Sequence, residues 1–294
     1  MADALVKALS KDGLVRFYVA TTTEMVNQAV NFHHTSPVAT AALGRTLTGA
    51  SIMGALAKQP HEKLTLQIKG DGPLGGILAV SDATGNTKGY VNIPDVDLPL
   101  RADGKLDVGG AVGKHGYVNV IRDLGLKEPY VGQIPIVSGE IAEDLASYFL
   151  QSEQVPSALS LGVTVNPDGS VGGAGGVLVQ LLPGATEETI VELEGRMGAL
   201  AFLSSYIADG FTAEELLGFV AKEIPHDILE TIHPVYRCDC NMDRIERALC
   251  SLGNDELDEM IKEGKPLEIA CHFCDKTYSV TTERLATLRK SREE

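Results

Sequence analysis

Apolar and polar positions alternate over residues 14–20, the period of a strand with one face in a core. Ser36-Pro37 then joins a capping residue to a proline at the first helical position, which predicts a helix running through Ala57. Strand-like runs follow at residues 64–68, 76–80 and 88–91, separated by glycine-rich turns, and the simplest arrangement for them is a sheet meander. Residues 138–150 predict a second helix. Residues 160–165 and 171–182 flank Asn166-Pro167-Asp168-Gly169, a strong turn signal, and predict a hairpin. The expected fold is α+β: a mixed N-terminal domain (1–183) with a largely antiparallel sheet and packed helices, a helical linker (184–233) and a small C-terminal domain (234–294).

The linker differs in kind from what precedes it. Residues 186–233 hold ten acidic and two basic side chains and predict two or three helices, one after Ala185 and one opened by the capping box Thr212-Ala213-Glu214-Glu215. Gly195, Gly198 and Gly218 fall inside these helices at about 1 kcal/mol each relative to alanine, and Glu188 and Glu192 repel at i, i+4 spacing. Ile190, Leu193, Met197, Leu200, Leu203 and Ile207 nevertheless form an apolar face that needs a partner surface. Two readings stand: an ordinary acidic linker docked on the main body, or a deliberately labile element.

With 44% hydrophobic and 22% charged residues among 294, the chain has the composition of a folded protein rather than a disordered or membrane-embedded one. Its start lacks the pattern of a secretory leader, and no stretch has eighteen uninterrupted apolar residues, so a cytoplasmic location is expected. The small-residue run at 38–57 carries Arg45 and reads as a packed core helix. A net charge of -15 argues against general affinity for phosphate backbones, so neither nucleic acid nor membrane is an expected partner.

All five cysteines fall between Cys238 and Cys274, and a clustered set of this kind reads as a local metal or redox site rather than a network of staples. Cys238-Asp239-Cys240 and Cys271-His272-Phe273-Cys274 are two short chelating pairs. Together they supply the four thiolates of a closed tetrahedral zinc site, with no open position for a catalytic water. The last sixty or so residues are too few for a large core, and a structural metal is the usual remedy. Zinc-bound thiolates react with oxidants, and oxidation removes the ligands, so metal loss and unfolding are chemistry open to such a site. Cys250 lies in a helical run and is expected to be a small buried apolar residue. His272, between two ligands, is not expected to bind the metal.

Other motifs fail on context. Gly70-Asp71-Gly72-Pro73-Leu74-Gly75 matches the dinucleotide fingerprint, even with Asp95 some twenty residues on, but a strand-like run follows it rather than a helix. Gly172-Gly173-Ala174-Gly175-Gly176 lacks the ending of a phosphate loop and reads as a place where strands bend or approach closely. His33-His34 has no companion ligands, and no serine sits in a nucleophile elbow.

Taken together these segments resemble the redox-regulated chaperone family of heat shock protein 33, the 33 kDa chaperonin. The resemblance rests on Leu5-Val6-Lys7-Ala8-Leu9, Asp12-Gly13, Val15-Arg16, Ser36-Pro37 through Ala42-Leu43-Gly44-Arg45, and Ser152-Glu153-Gln154-Val155-Pro156-Ser157. It is most specific in Tyr236-Arg237-Cys238-Asp239-Cys240, Leu252-Gly253 and Cys271-His272-Phe273-Cys274 with Tyr278. The resemblance implies an ATP-independent holdase, not an enzyme, inactive while reduced and zinc-bound. It implies that oxidants convert the ligands into Cys238–Cys240 and Cys271–Cys274 disulfides, release the single zinc, and unfold the C-terminal domain and linker to expose apolar surface for unfolding client proteins. It further implies a homodimer as the active form. Cys250 lies outside the family motif. Two other functions compete: a thiol-disulfide oxidoreductase using Cys271 and Cys274, which lacks the expected βαβ setting, and a zinc-ribbon nucleic-acid module, disfavoured by the acidic charge.

Overall fold

The structure is a computed structural model describing residues 2–290. The chain divides between Arg237 and Cys238 into two compact units. Among the described residues no helix is long and apolar enough to cross a membrane.

The first unit runs β1 (Ala4–Ser10), β2 (Val15–Thr21), α1 (Thr23–His33), α2 (Pro37–Gly54), β3 (Lys63–Gly70), β4 (Ile77–Asp82), β5 (Thr87–Val91), α3 (Val108–Val112), β6 (Gly116–Asp123), β7 (Tyr130–Pro135), α4 (Ala142–Gln151), β8 (Ser157–Val165) and β9 (Val171–Leu181). It continues with α5 (Glu187–Ala199), a 3₁₀ turn (Leu200–Phe202), α6 (Leu203–Ala208), α7 (Ala213–Ala221) and β10 (His226–Ile232). The strands form two five-stranded sheets, ordered β10-β1-β2-β9-β8 and β5-β4-β3-β6-β7. Every strand pair in them is antiparallel.

Helix α2 packs against strands of both sheets and is buried on nearly every side, as its small-residue composition permits. Ser36 caps it as the sequence predicts, its Oγ accepting from Ala39 N at 3.3 Å. Two buried hydroxyls are satisfied within the helix: Thr46 and Thr48 each donate to the carbonyl four residues back at 2.8 Å. Arg45 reaches Glu140 at 2.7 Å. The helix ends at Gly54 rather than Ala57, because the last turn tightens, with Ala57 N donating to Gly54 O at 2.9 Å.

The helix expected over 138–150 begins four residues late. The buried Asp144 carboxylate accepts from Val137 N (2.7 Å), Ser138 N (3.0 Å) and Ile141 N (3.1 Å), and this holds the preceding residues as a loop. The meander β3-β4-β5 and the hairpin β8-β9 form as expected. Residues 70–75 are a turn leading into β4, with Gly72 N donating to Val112 O at 3.0 Å. They do not open a helix. His34 ends α1 in the left-handed region (φ 48°).

The linker contains the expected helices and also β10, a strand that its acidic, helix-like composition conceals. Leu193, Leu200, Leu203 and Ile207 are buried with Leu216, Leu217 and Val220 of α7 against Val6, Phe17, Val19, Val177 and Val179. The glycine run in β9 explains how closely α6 sits. A Cβ at Gly173 would lie 2.2 Å from Ser204 O, and one at Gly175 would lie 2.3 Å from Ile207 Cδ1. Arg196 pairs with Glu192 and donates to the carbonyls of Val220 (3.1 Å) and Ala221 (2.8 Å), bracing α5 to the end of α7.

The second unit comprises α8 (Met242–Leu249), α9 (Asn254–Lys262), β11 (Leu267–Ala270), β12 (Thr277–Val280) and α10 (Thr282–Lys290). Its apolar cluster is five buried side chains: Leu249, Leu257, Val280, Leu285 and Leu288.

Candidate metal centre

Cys238 and Cys240 lie on the extended segment before α8, and Asn241 caps that helix by accepting from Arg244 N at 2.9 Å. Arg244 also pairs with Asp239 at 2.6 Å, which fixes the residue between the two thiols. Cys271 and Cys274 occupy the tight turn of the β11-β12 hairpin. There Cys271 O accepts from Cys274 N (3.2 Å) and Asp275 N (2.8 Å), and Cys271 N donates to Lys276 O (2.9 Å). Asp275 takes a left-handed conformation, φ 56°, to close the turn. Hydrogen-bonded backbone thus places both thiols on one side of the hairpin.

The four sulfurs converge, all lying within 4.8 Å of one another. Cys238 Sγ is 3.7 Å from Cys271 Sγ, and Cys240 Sγ is 3.4 Å from Cys274 Sγ. An ion bound tetrahedrally at about 2.3 Å from each sulfur would space them about 3.8 Å apart, so the donor set fits a metal with little rearrangement. All five cysteines are free thiols and half-buried. Cys250 is outside the cluster, at the end of α8, and its side chain rests against the small apolar core. His272 is not among the converging groups.

Burial and the crowding of the sulfurs separate the proton affinities of Cys238, Cys240 and Cys274. Burial acts against the thiolate at Cys240, but the Tyr278 hydroxyl, donating to Sγ at 3.1 Å, and the neighbouring thiols outweigh it and bring Cys240 down to about 7. Burial pushes the Cys238 and Cys274 thiols up. The hydrogen bond to Cys240 raises the Tyr278 phenol to about 12, and Lys276 Nζ sits 5.2 Å from its ring centroid. Tyr278 is visible in sequence as part of the motif, but its bond to Cys240 is not. Nor is the Asp239–Arg244 pair.

A family model described as Hsp33 protein matches residues 3–281. The chain belongs to the Hsp33 family. It is 47% identical over 290 residues to the 33 kDa chaperonin of Ruminiclostridium cellulolyticum, with 99% of each chain covered. Against the 33 kDa chaperonin of Clostridium perfringens it is 47% identical over 294 residues, covering 100% of this chain and 93% of the relative. The crystal structure of the 33 kDa chaperonin (heat shock protein 33 homologue) from Thermotoga maritima has the same fold, with TM-score 0.90, 39% identity, and 100% and 99% of the two chains covered. Hsp33 membership makes this a chaperone-family protein. Among the described residues, its four-thiol cluster is a group of side chains able to hold a metal ion.

Proposed function

We propose that the protein is a redox-regulated, ATP-independent holdase of the cytoplasm that protects unfolding proteins from aggregation under oxidative and heat stress. The observation that carries this reading is the convergence of Cys238, Cys240, Cys271 and Cys274 in a unit with only five buried apolar side chains in its cluster. A cluster of that size contributes little stability by itself, whereas zinc bound by four thiolates is worth about 10–16 kcal/mol in small domains. The reduced protein holds one zinc, whose role is structural, tying the thiolates of two chain segments together.

Oxidation dismantles this arrangement. Each disulfide forms as two thiols give up two protons and two electrons, which one molecule of hydrogen peroxide accepts to become two waters. In the pairs Cys238–Cys240 and Cys271–Cys274 each sulfur must approach its partner to about 2 Å, inside the spacing of the tetrahedral set. The ligands are lost and residues 234–294, the switch domain, unfold. Residues 184–233 follow as the metastable linker, and residues 1–183 present the client-binding and dimerising surface. The apolar face that becomes available includes Val6, Phe17, Val19, Val177 and Val179, covered in the reduced state by α5–α7. Clients are bound without catalysis, the active form is a homodimer, and neither nucleic acid nor membrane takes part.

The test is suppression of aggregation of a thermally unfolding client by the purified chain. Activity only after peroxide and mild heating supports the proposal. Equal activity before and after, or none in either state, contradicts it. An insulin-reduction assay separates the competing oxidoreductase reading; Cys271 and Cys274 in a hairpin turn lack the helix N-terminus that activates such a pair.

A further inference from the structure

One continuous stretch, residues 226–237, closes an edge of each sheet in the first unit. Its first part, β10, pairs antiparallel with β1 from Ser10↔His226 to Leu5↔Ile232. The side chains of β10 contribute little to that pairing: most are exposed, Ile228 by 48% and Leu229 by 65%. Main-chain hydrogen bonds hold it, supplemented by the Lys7–Glu230 ion pair at 2.8 Å.

The second part lies along β5. Thr87 N donates to Val235 O (3.0 Å) and Arg237 N donates to Thr87 O (2.9 Å), the pattern of a parallel bridge between Thr87 and Tyr236. Val235 N donates to Asn86 Oδ1 at 3.0 Å. Two residues further along β5 the Tyr236 phenol replaces backbone: its hydroxyl donates to Gly89 O (2.8 Å) and accepts from Gly89 N (3.2 Å), while its ring packs on Phe32 at 5.4 Å. Ile232, Pro234 and Tyr236 face inward at alternate positions; Pro234 is buried and the other two rest against the main core.

An extended segment seated by main-chain bonds, with small pockets for alternate apolar residues, is how strand-addition domains hold peptides. Recognition through the main chain tolerates unrelated sequences, which suits a holdase. We infer that residues 226–237 are an internal stand-in for a client, and that extended segments of unfolding proteins take their place by strand addition on the β1 and β5 edges. This rests on the holdase reading above and assigns its clients a site. While the linker is docked, the tether keeps the stand-in at an effective concentration on the order of millimolar, so external segments are excluded. Release of the linker leaves Thr87 N and O, Gly89 N and O and the outer groups of β1 unpaired, a template for another chain.

The experiment uses the full chain and a fluorescent peptide of residues 226–237. The peptide is expected to bind the peroxide- and heat-treated protein, to be ignored by the reduced, zinc-loaded protein, and to compete with a thermally unfolding client. N-methylation at the Arg237 position, which removes the N–H that reaches Thr87 O, and Tyr236→Ala in the peptide are each expected to weaken binding about tenfold, the worth of a lost hydrogen bond. A scrambled peptide that binds equally well, equal binding to the reduced protein, or binding without competition overturns the proposal. So does an oxidised dimer that excludes the peptide, which assigns the edges to a second copy of the chain. Suppression of client aggregation without peptide binding removes strand addition and leaves the holdase reading standing. Loss of both removes both.

Discussion

The first unit buries two extended apolar clusters, one around α2 between its sheets and one beneath α5–α7, whereas the second unit has one apolar cluster of five buried side chains and gathers four thiols. Hydrophobic burial scales with the area enclosed, so the first unit can hold its fold through its own core, while the second encloses far less apolar surface. The linker stands between these extremes. It is packed on the sheet like a core element, yet its helices carry glycines and a surplus of acidic charge. The contrast teaches that the unit with the least apolar burial is also the one that groups its reactive atoms most closely.

The most forceful way to break the comparison is to remove the metal. A zinc chelator, or Cys271→Ser with Cys274→Ser, is expected to abolish amide-exchange protection across α8–α10, β11 and β12 while leaving β1–β9 protected, since the binding energy at stake is about 10–16 kcal/mol. Uniform loss of protection across both units would erase the distinction. Next in size, Leu257→Ala and Leu66→Ala both truncate fully buried leucines at a cost of about 3 kcal/mol. The first should weaken zinc affinity in a competition titration. The second should lower the melting temperature of the first unit and leave zinc affinity unchanged.

One pH dependence can be assigned to the first unit. Burial raises the Asp3 carboxyl to about 6, although it accepts from Met25 N (2.7 Å) and Glu24 N (3.1 Å). The folded state therefore holds a proton that the unfolded state, titrating near 4, has released. Stability falls as pH rises from about 4 to about 6, by about 3 kcal/mol, and is flat above that range. Asp3→Asn should flatten this slope in urea titrations of the first unit; an unchanged slope would assign it elsewhere. The smallest effect concerns the linker. Cβ atoms at Gly195, Gly198 and Gly218 would meet nothing within 4 Å. Alanine at each should stabilise its helix by about 1 kcal/mol, and the triple variant should need a higher temperature for activation after the same oxidation. Unaltered activation would mean that linker helicity does not set the threshold.

Much of this contrast is legible in sequence because it lies in local patterns. The Ser36-Pro37 cap, the Asn166-Pro167-Asp168-Gly169 hairpin and the Thr212–Glu215 capping box are short-range signals, and each appears where expected. The cysteine spacing likewise announces a four-thiol cluster. What stays hidden is set by distant partners. β10 reads as acidic helix and becomes a strand because β1 offers an unpaired edge, a tertiary demand that overrides propensity. The start of α4 is displaced by a single buried carboxylate, Asp144, and the glycines of β9 gain their meaning only when α6 is seen against them. Tyr236 is quotable as motif, but its hydroxyl replacing backbone at Gly89 follows from the fold.

The central claim is that the four cysteines are a zinc-held tie whose oxidation releases structure. Zinc content should be measured beside free thiols and amide protection of residues 238–290, before and after peroxide with mild heating. The account predicts coupled loss of one zinc, four thiols and that protection, with Cys250 remaining free. Thiols oxidised with zinc still bound, or zinc and thiols lost while the second unit stays protected, would contradict it.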